Sequence, residues 1–491
     1  MHRYTLVLLL ACFQAAALGQ SAPAARDLPS DAEAQALLRA PVLTASGPHA
    51  AELEAAYRLA LRVVAFNVRN GLLEAGEGYG TWTRDSSINS WNAASLLIPD
   101  TARRTLWHEC EQSVDGRVIG GQYWDKVIWI IAAWNHVQTT GDAAFLREAF
   151  ETSQRTLRIM RDAQLDPETG LFRGPAVYGD GVAAYPDPPF DDTRGDNIQQ
   201  YPEGRRIEVL STNCVYYGAY RAAAAMGRMS GQPAGITQQL DADAEAIRAS
   251  IRRILWNPAA SRFGYFRDGA GRVDMTQEAL GEALAVLLDV AEPDEATAIL
   301  RSAQLTPWGV ACTWPVFARY RDPEHRTFGR HNGTIWPFIN AFWATAAVHA
   351  GQNSVFAGEF RRITTLALRS GDFREIYHPY TGEPYGGVQA GKVWDSVRHQ
   401  TWSATGYLRM VYQGLFGMRF QEDGLQLLPV LPRELGIREA RLADLRYRDA
   451  ELDITVAGTG KRARSLLLDG KRQAGDRLPA DLAGKHNLVV R

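Results

Sequence analysis

Apolar residues recur three and four positions apart along twelve stretches between residues 50 and 416, the pattern of helices that bury one stripe. The stretches are 50–73, 86–98, 101–113, 124–140, 143–163, 211–230, 236–255, 277–290, 293–303, 334–351, 354–370 and 400–416. They pair across short polar turns such as Thr140-Gly141-Asp142 and Ser230-Gly231-Gln232-Pro233, and Ala222-Ala223-Ala224-Ala225 lets helices approach closely. The other connections, 74–85, 114–124, 166–207, 257–276, 305–333 and 371–399, are longer, aromatic and rich in Gly and Pro. Loops of that kind in a compact domain carry function more often than structure. Six helical hairpins with alternating short and long loops predict a mainly α fold, an (α/α)6 toroid with the long loops gathered at one end. After Phe416 the period changes: 425–429, 439–447, 451–457, 464–468 and 487–490 are short, alternating and bounded by turns such as Asp423-Gly424, Gly458-Thr459-Gly460 and Asp469-Gly470. They predict a small C-terminal β domain.

The first residues do not fit either pattern. Arg3 precedes a nearly unbroken apolar run from Thr5 to Ala17, and Ala17-Leu18-Gly19 is a small-x-small cleavage site, so 1–19 reads as a signal peptide. The run is too short to span a membrane. The expected location is periplasmic or secreted, with lipoprotein anchoring at Cys12, from Leu9-Leu10-Ala11-Cys12, as the lesser alternative. The division is then a leader at 1–19, a lead-in at 20–47, a helical catalytic domain at 48–418 and the β domain at 419–491.

Composition narrows the function. Lys plus Arg is 53 and Asp plus Glu 55, a formal net charge of −2 that argues against a nucleic-acid partner. Removing the leader leaves Cys110, Cys214 and Cys312, an odd set without C-x-x-C that predicts buried thiols rather than a disulfide framework or zinc. The 13 Trp and 18 Tyr lie largely beside Gly, Asp, Asn and His, which suits a surface that stacks on sugar rings while bonding hydroxyls.

Five loop segments concentrate such residues. In Trp82-Thr83-Arg84-Asp85-Ser86, the Arg-Asp pair can pin hydroxyls through charge-assisted bonds, although Asp85 or Ser86 can equally cap the next helix. Tyr123-Trp124-Asp125-Lys126 opens an apolar helix, so Asp125 is either a cap or a substrate-facing acid. Asp180 sits between Gly179 and Gly181, flanked by Tyr178 and Tyr185, where it can be desolvated and kept protonated as a general acid; an Asx turn is the plainer reading. His331 and Asn332, ahead of Trp336, read as substrate hydrogen-bonders, with no triad or H-x-x-x-H metal spacing near them. Glu375, in an aromatic surround with Tyr377, is favoured over the turn residue Glu383, and Gln400 and Trp402 follow it. Two carboxyls on different loops suit glycosidic hydrolysis, one protonating the leaving oxygen and one activating water; a separation of ~6.5–9.5 Å inverts the anomeric carbon.

These segments resemble the six-hairpin glycosidases, in particular glycoside hydrolase family 63 and the glycogen-debranching-type glucosidases. Glu375-Ile-Tyr-His-Pro-Tyr-Thr-Gly-Glu, with Gln400-Thr-Trp-Ser-Ala and Gly414-Leu-Phe-Gly-Met, is similar to the family 63 general-base loop and implies Glu375 as base. Gly179-Asp180-Gly181 with Tyr185-Pro186 is similar to its acid loop and implies Asp180 as acid. Ser211-Thr212-Asn213 and His331-Asn332-Gly-Thr-Ile-Trp336 resemble substrate-lining segments of debranching-type members. Leu452-Asp-Ile-Thr-Val and Leu468-Asp-Gly resemble a β-sandwich tail. The expected function is an exported, inverting hydrolase of an α-linked glucoside or mannoside in an oligosaccharide. No cofactor is expected, with a structural calcium left open for the oxygen-rich loop from Asp187 to Asp196. A glycoside phosphorylase, a polysaccharide lyase and a non-catalytic carbohydrate-binding protein are the alternatives.

Overall fold

The computed structural model describes residues 26–458 and 465–491. The leader and Cys12 lie outside the described residues, as do Thr459 and Gly460 of one expected turn. The chain is mainly helical, and all twelve expected helical stretches form. One short helix was not expected: α1 (Asp31–Leu38), capped by Ser30 and Glu33 in a reciprocal capping box. The first expected stretch stops early, because α2 (Ala50–Asn67) gives way to a hairpin at Val68–Leu73. The second stretch is α3 (Thr83–Asn89), continuing through a π-turn at Ser90–Ala94 into α4 (Ser95–Leu97), and the third is α5 (Pro99–His108). Then come α6 (Lys126–Thr140), α7 (Ala143–Gln164), α8 (Leu210–Met229), α9 (Ala234–Leu255), α10 (Ala279–Leu287) and α11 (Pro293–Ser302). The last three are α12 (Pro337–His349), α13 (Asn353–Ser370) and α14 (Thr401–Arg409), the last running on through a π-turn at Met410–Leu415.

Burial sorts these helices into two sets. Every residue of α3 and α14 and nearly every residue of α8, α10 and α12 is buried, and α6 is buried over Val127–Ala133. A helix apolar all round must be covered all round. These six pack in a closed circuit, α3 on α6, α6 on α8, α8 on α10, α10 on α12, α12 on α14 and α14 back on α3. The amphipathic helices lie against them: α2 on α14, α5 on α3, α7 on α6, α9 on α8, α11 on α10 and α13 on α12. Tight turns hold the hairpins; Gly141, at φ 72°, ends α6 in the left-handed conformation that glycine adopts without steric cost.

The C-terminal strands form two sheets. The larger runs β1 (Val42–Ser46), β4 (Glu439–Tyr447), β5 (Ala450–Ala457), β9 (Gly484–Val490), β6 (Leu466–Leu468), β7 (Lys471–Arg472). The smaller joins β2 (Met418–Gln421), β3 (Gly424–Leu427) and β8 (Arg477–Pro479). Residues of β5 alternate buried and half-buried, the period of a sheet with one face on a core. The lead-in is therefore not only a linker. Its strand Val42–Ser46 extends the C-terminal sheet by pairing antiparallel with β4, Val42 opposite Ala443 and Ser46 opposite Glu439.

Candidate active site

Four of the six long connections converge on one cleft of about 230 Å³, bordered by Tyr79, Trp82, Arg84 and Asp85, by Tyr178, Asp180, Gly181, Asp196 and Asn197, by Arg330, His331 and Trp336, and by Glu375, Gln389, Trp394, Gln400 and Trp402. The connections 114–124 and 257–276 do not reach it.

Asp180 is held by backbone on both sides: Ile198 N–H donates to its carbonyl at 2.8 Å, and Val182 N–H donates to Asp196 O at 2.8 Å. The tyrosine expected to flank it works from behind. The fully buried Tyr185 hydroxyl accepts from Ala176 N–H at 2.9 Å and donates to Gly179 O at 2.8 Å. The glycines on either side fit that packing: a Cβ on Gly179 would meet the Tyr185 hydroxyl at 2.8 Å, and one on Gly181 would meet the His331 ring at 2.5 Å and collide with Gln389. Glu375 is fixed across the cleft. Its N–H donates to Val397 O at 3.0 Å, and the next residues pair with the His331–Trp336 loop through Ile335 and Tyr377 at 2.9 and 3.1 Å.

Each of the two acids faces an arginine. Arg84 Nη2 lies 3.3 Å from Asp180, while Nη1 lies 3.4 Å from Asp125 and Nε 3.9 Å from Asp85. Arg330 Nη2 donates to Glu375 Oε2 at 2.8 Å and Nη1 to Gly386 O at 3.1 Å, with its guanidinium between the rings of Trp336 and Trp394. The Asp180 side chain is 28% exposed and that of Glu375 only 5%. Burial pushes Asp180 up, but the charge and hydrogen bond of Arg84 and the charge of Arg330 outweigh it, so its pKa falls below the ordinary carboxylate value. That corrects the expectation of a carboxyl kept protonated by desolvation alone. Burial instead dominates at Asp85 and Asp125, which are pushed up to about 7 against the pull of Arg84. His331, stacked on Trp336 and 3.7 Å from Asp180, is driven by burial down to about 3 and is neutral.

Of the residues expected to line the site, Trp82, Arg84, Asp85, Tyr178, His331, Trp336, Gln400 and Trp402 border the cleft together with Asp180 and Glu375. The rest stand behind its wall. Trp124 is fully buried, and Tyr123 packs on it edge to face and against Gly174. Lys126 is half-buried and borders no part of the cleft. Asp125 serves Arg84 and makes no cap bond, and neither Asp85 nor Ser86 caps α3. Asn213 spans Phe172 N–H, Phe172 O and Val209 O. Asn332 ties Phe317 N–H to Thr313 and Pro315 O. Tyr377 hydrogen-bonds Ser370, Asp372 O and Arg374 N–H beneath the Glu375 loop. In the loop from Asp187 to Asp196, left open for a calcium, Asp187 and Asp192 are engaged by Arg319. Cys110, Cys214 and Cys312 are free thiols. Sequence reasoning missed Tyr79, Asp196, Asn197, Arg330, Gln389 and Trp394. Arg330 had a signal, its place beside His331 in the same Gly-rich run, and Asp196 closes the oxygen-rich loop left open for a calcium; Gln389 had none.

Residues 125–403 match the family described as "Mannosylglycerate hydrolase MGH1-like glycoside hydrolase domain", more than half of the chain. The chain belongs to this family. The match is to a domain of the glycoside hydrolase class. Among curated proteins, Cytosolic invertase 1 of Oryza sativa subsp. japonica is 26% identical over 179 residues, 33% of this chain and 30% of that protein. The chain thus spans about a third of the length of that relative. Among solved structures, a protein titled "Sialidase" aligns with TM-score 0.68 at 16% identity over 91% of this chain and 42% of its own. A GH63 mannosylglycerate hydrolase from Thermus thermophilus, in complex with Tris, aligns with TM-score 0.52 at 17% identity over 72% of this chain and 99% of its own. These likenesses are of fold. No helix among the described residues is long and apolar enough to cross a membrane.

Proposed function

We propose that this chain is an exported, inverting glycoside hydrolase that cleaves an α-linked glucoside or mannoside in an oligosaccharide, with Asp180 as general acid and Glu375 as general base. The observation that carries the reading is that Asp180 and Glu375, from loops almost two hundred residues apart, border one cleft, each against its own arginine. Trp82, 43% exposed, offers a ring face to a sugar, and the buried Trp336 and Trp402 stiffen the wall behind it. In the reaction, Asp180 gives its proton to the glycosidic oxygen as the C–O bond breaks, and Glu375 takes a proton from the water whose oxygen bonds the anomeric carbon on the opposite face. Because Asp85, Asp125 and Asp180 share Arg84, the proton belongs to that cluster rather than to one carboxyl, and the raised values of Asp85 and Asp125 keep one available near neutral pH. The closed circuit of buried helices supports an (α/α)6 toroid, residues 48–418, and the two C-terminal sheets support a small β-sandwich, residues 419–491. The apolar start with its small-x-small site supports export.

A panel of aryl glycosides and natural oligosaccharides, with NMR of the first anomer released, tests sugar, linkage and stereochemistry at once. Asp180→Asn and Glu375→Gln should each lower kcat by a factor on the order of 10³ or more with unchanged folding, since removal of a proton donor or acceptor from the reacting atoms is not compensated elsewhere. Full activity in either variant overturns the assignment.

A further inference from the structure

The cleft has an unbalanced charge. Four carboxyls border it, Asp85, Asp180, Asp196 and Glu375, and two guanidiniums, Arg84 and Arg330; Asp85, pushed up to about 7, carries only part of a charge at neutral pH, so the excess rests on Asp196. Both guanidiniums are already engaged. Arg84 is shared by Asp85, Asp125 and Asp180, and Arg330 donates to Glu375 and to Gly386 O. His331, the remaining basic side chain of the wall, is neutral. Arg398, two residues before Gln400, faces Glu77 at 3.8 Å. Asp196 forms no salt bridge among the described residues and stands half-buried at the edge of the cleft. An anion entering here meets carboxylates without a free cation to receive it, and the low dielectric of a partly buried cleft magnifies that repulsion.

We propose that this cleft takes glycosides whose aglycone is uncharged or cationic and rejects those whose aglycone carries a carboxylate, with Asp196 as a residue that enforces the discrimination. The proposal rests on the cleft of Asp180 and Glu375 being the active site. It sets this chain apart from the mannosylglycerate hydrolase of similar fold, since mannosylglycerate carries a carboxylate. Specificity of this kind comes from a repulsive element as much as from an attractive one.

The test compares glycosides of one sugar that differ only in aglycone, glycerol against glycerate, with purified full-length protein at low and high ionic strength. At low salt the glycerol glycoside should exceed the glycerate one by about tenfold or more in kcat/KM, and added salt should shrink the ratio by screening. Asp196→Asn should narrow the ratio in the same direction. Equal kcat/KM, or preference for glycerate, overturns the proposal. If neither glycoside turns over, the active-site reading has failed instead. The charge inference is then decided by calorimetric titration of the same two glycosides at low ionic strength. Tighter binding of the glycerol glycoside supports it, and binding of the glycerate glycoside as tight or tighter overturns it.

Discussion

Three carboxyls converge on the Arg84 guanidinium, and only one of them, Asp180, is substantially open to the cleft. Asp125 is 2% exposed and is pushed up to about 7, so the partial charge it carries in the neutral range is felt by Arg84 and Asp180 with little solvent between them. Neutralising Asp125 therefore leaves more of Arg84 for Asp180 and pulls the Asp180 value down further. The basic limb of the kcat/KM profile reports the acid that must be protonated in the free enzyme. Asp125→Asn should move that limb to lower pH, by about one unit, and lower kcat/KM at pH 7 by about tenfold, without a matching loss of thermal stability. A profile superimposable on the wild type would remove Asp125 from the acid's environment. Residues such as Asp125 show why the site was only partly legible. Spacing along the chain exposes residue types that suit the chemistry, and it brought Asp180, Glu375 and Arg84 to notice. It cannot tell a side chain on the cleft from one a layer behind, and Trp124, Asp125, Asn213, Asn332 and Tyr377 all fall in that second layer.

At the scale of elements, the helices were easy to read because their period is local and long, and the hairpins because their turns carry Gly and Pro. The lead-in strand Val42–Ser46 was not, since what makes it a strand is an edge offered by β4, almost four hundred residues away. Arg330 and Gln389 were hidden for the same reason: the irregular loops carrying them are fixed by each other rather than by their own sequence. Arg330 N–H donates to Val388 O at 2.9 Å, and the Gly181 backbone lies close enough to crowd both Gln389 and the His331 ring. Gly181 has an ordinary φ of −84°, so alanine there meets no backbone strain, and its cost is purely the displaced neighbours. Gly181→Ala should therefore lower kcat/KM by about tenfold to a hundredfold through the displaced His331 and Gln389, while the melting temperature changes by about 3 °C or less. If activity persists while stability collapses, Gly181 serves the loop's folding and not the geometry of the cleft.

At the scale of the whole molecule, several buried acids make stability depend on pH in the sense opposite to that of a salt-bridged carboxylate. Glu278 begins the turn into α10, and its Oε2 accepts Ser211 N–H at 3.2 Å at the start of α8, joining two neighbours of the helical circuit. It is 1% exposed, its other oxygen has no partner, and burial pushes it up to about 8. The α8 N-terminus and the Ser211 bond favour the anion, and both are outweighed. A raised value means the folded chain holds a proton that the unfolded chain has released. The stabilisation is fully present below the unfolded value, near 4.5, and is lost as pH rises through about 8. Glutamine keeps the shape and the acceptor but has nothing to ionise. Glu278→Gln should then match the wild type within error near pH 5 and exceed it by about 2–4 kcal/mol in unfolding free energy above pH 8. Chemical denaturation at several pH values measures this directly. A constant difference between the two proteins across the range would mean that Glu278 is ionised throughout, and that the junction of α8 and α10 is held by a buried charge rather than by a proton.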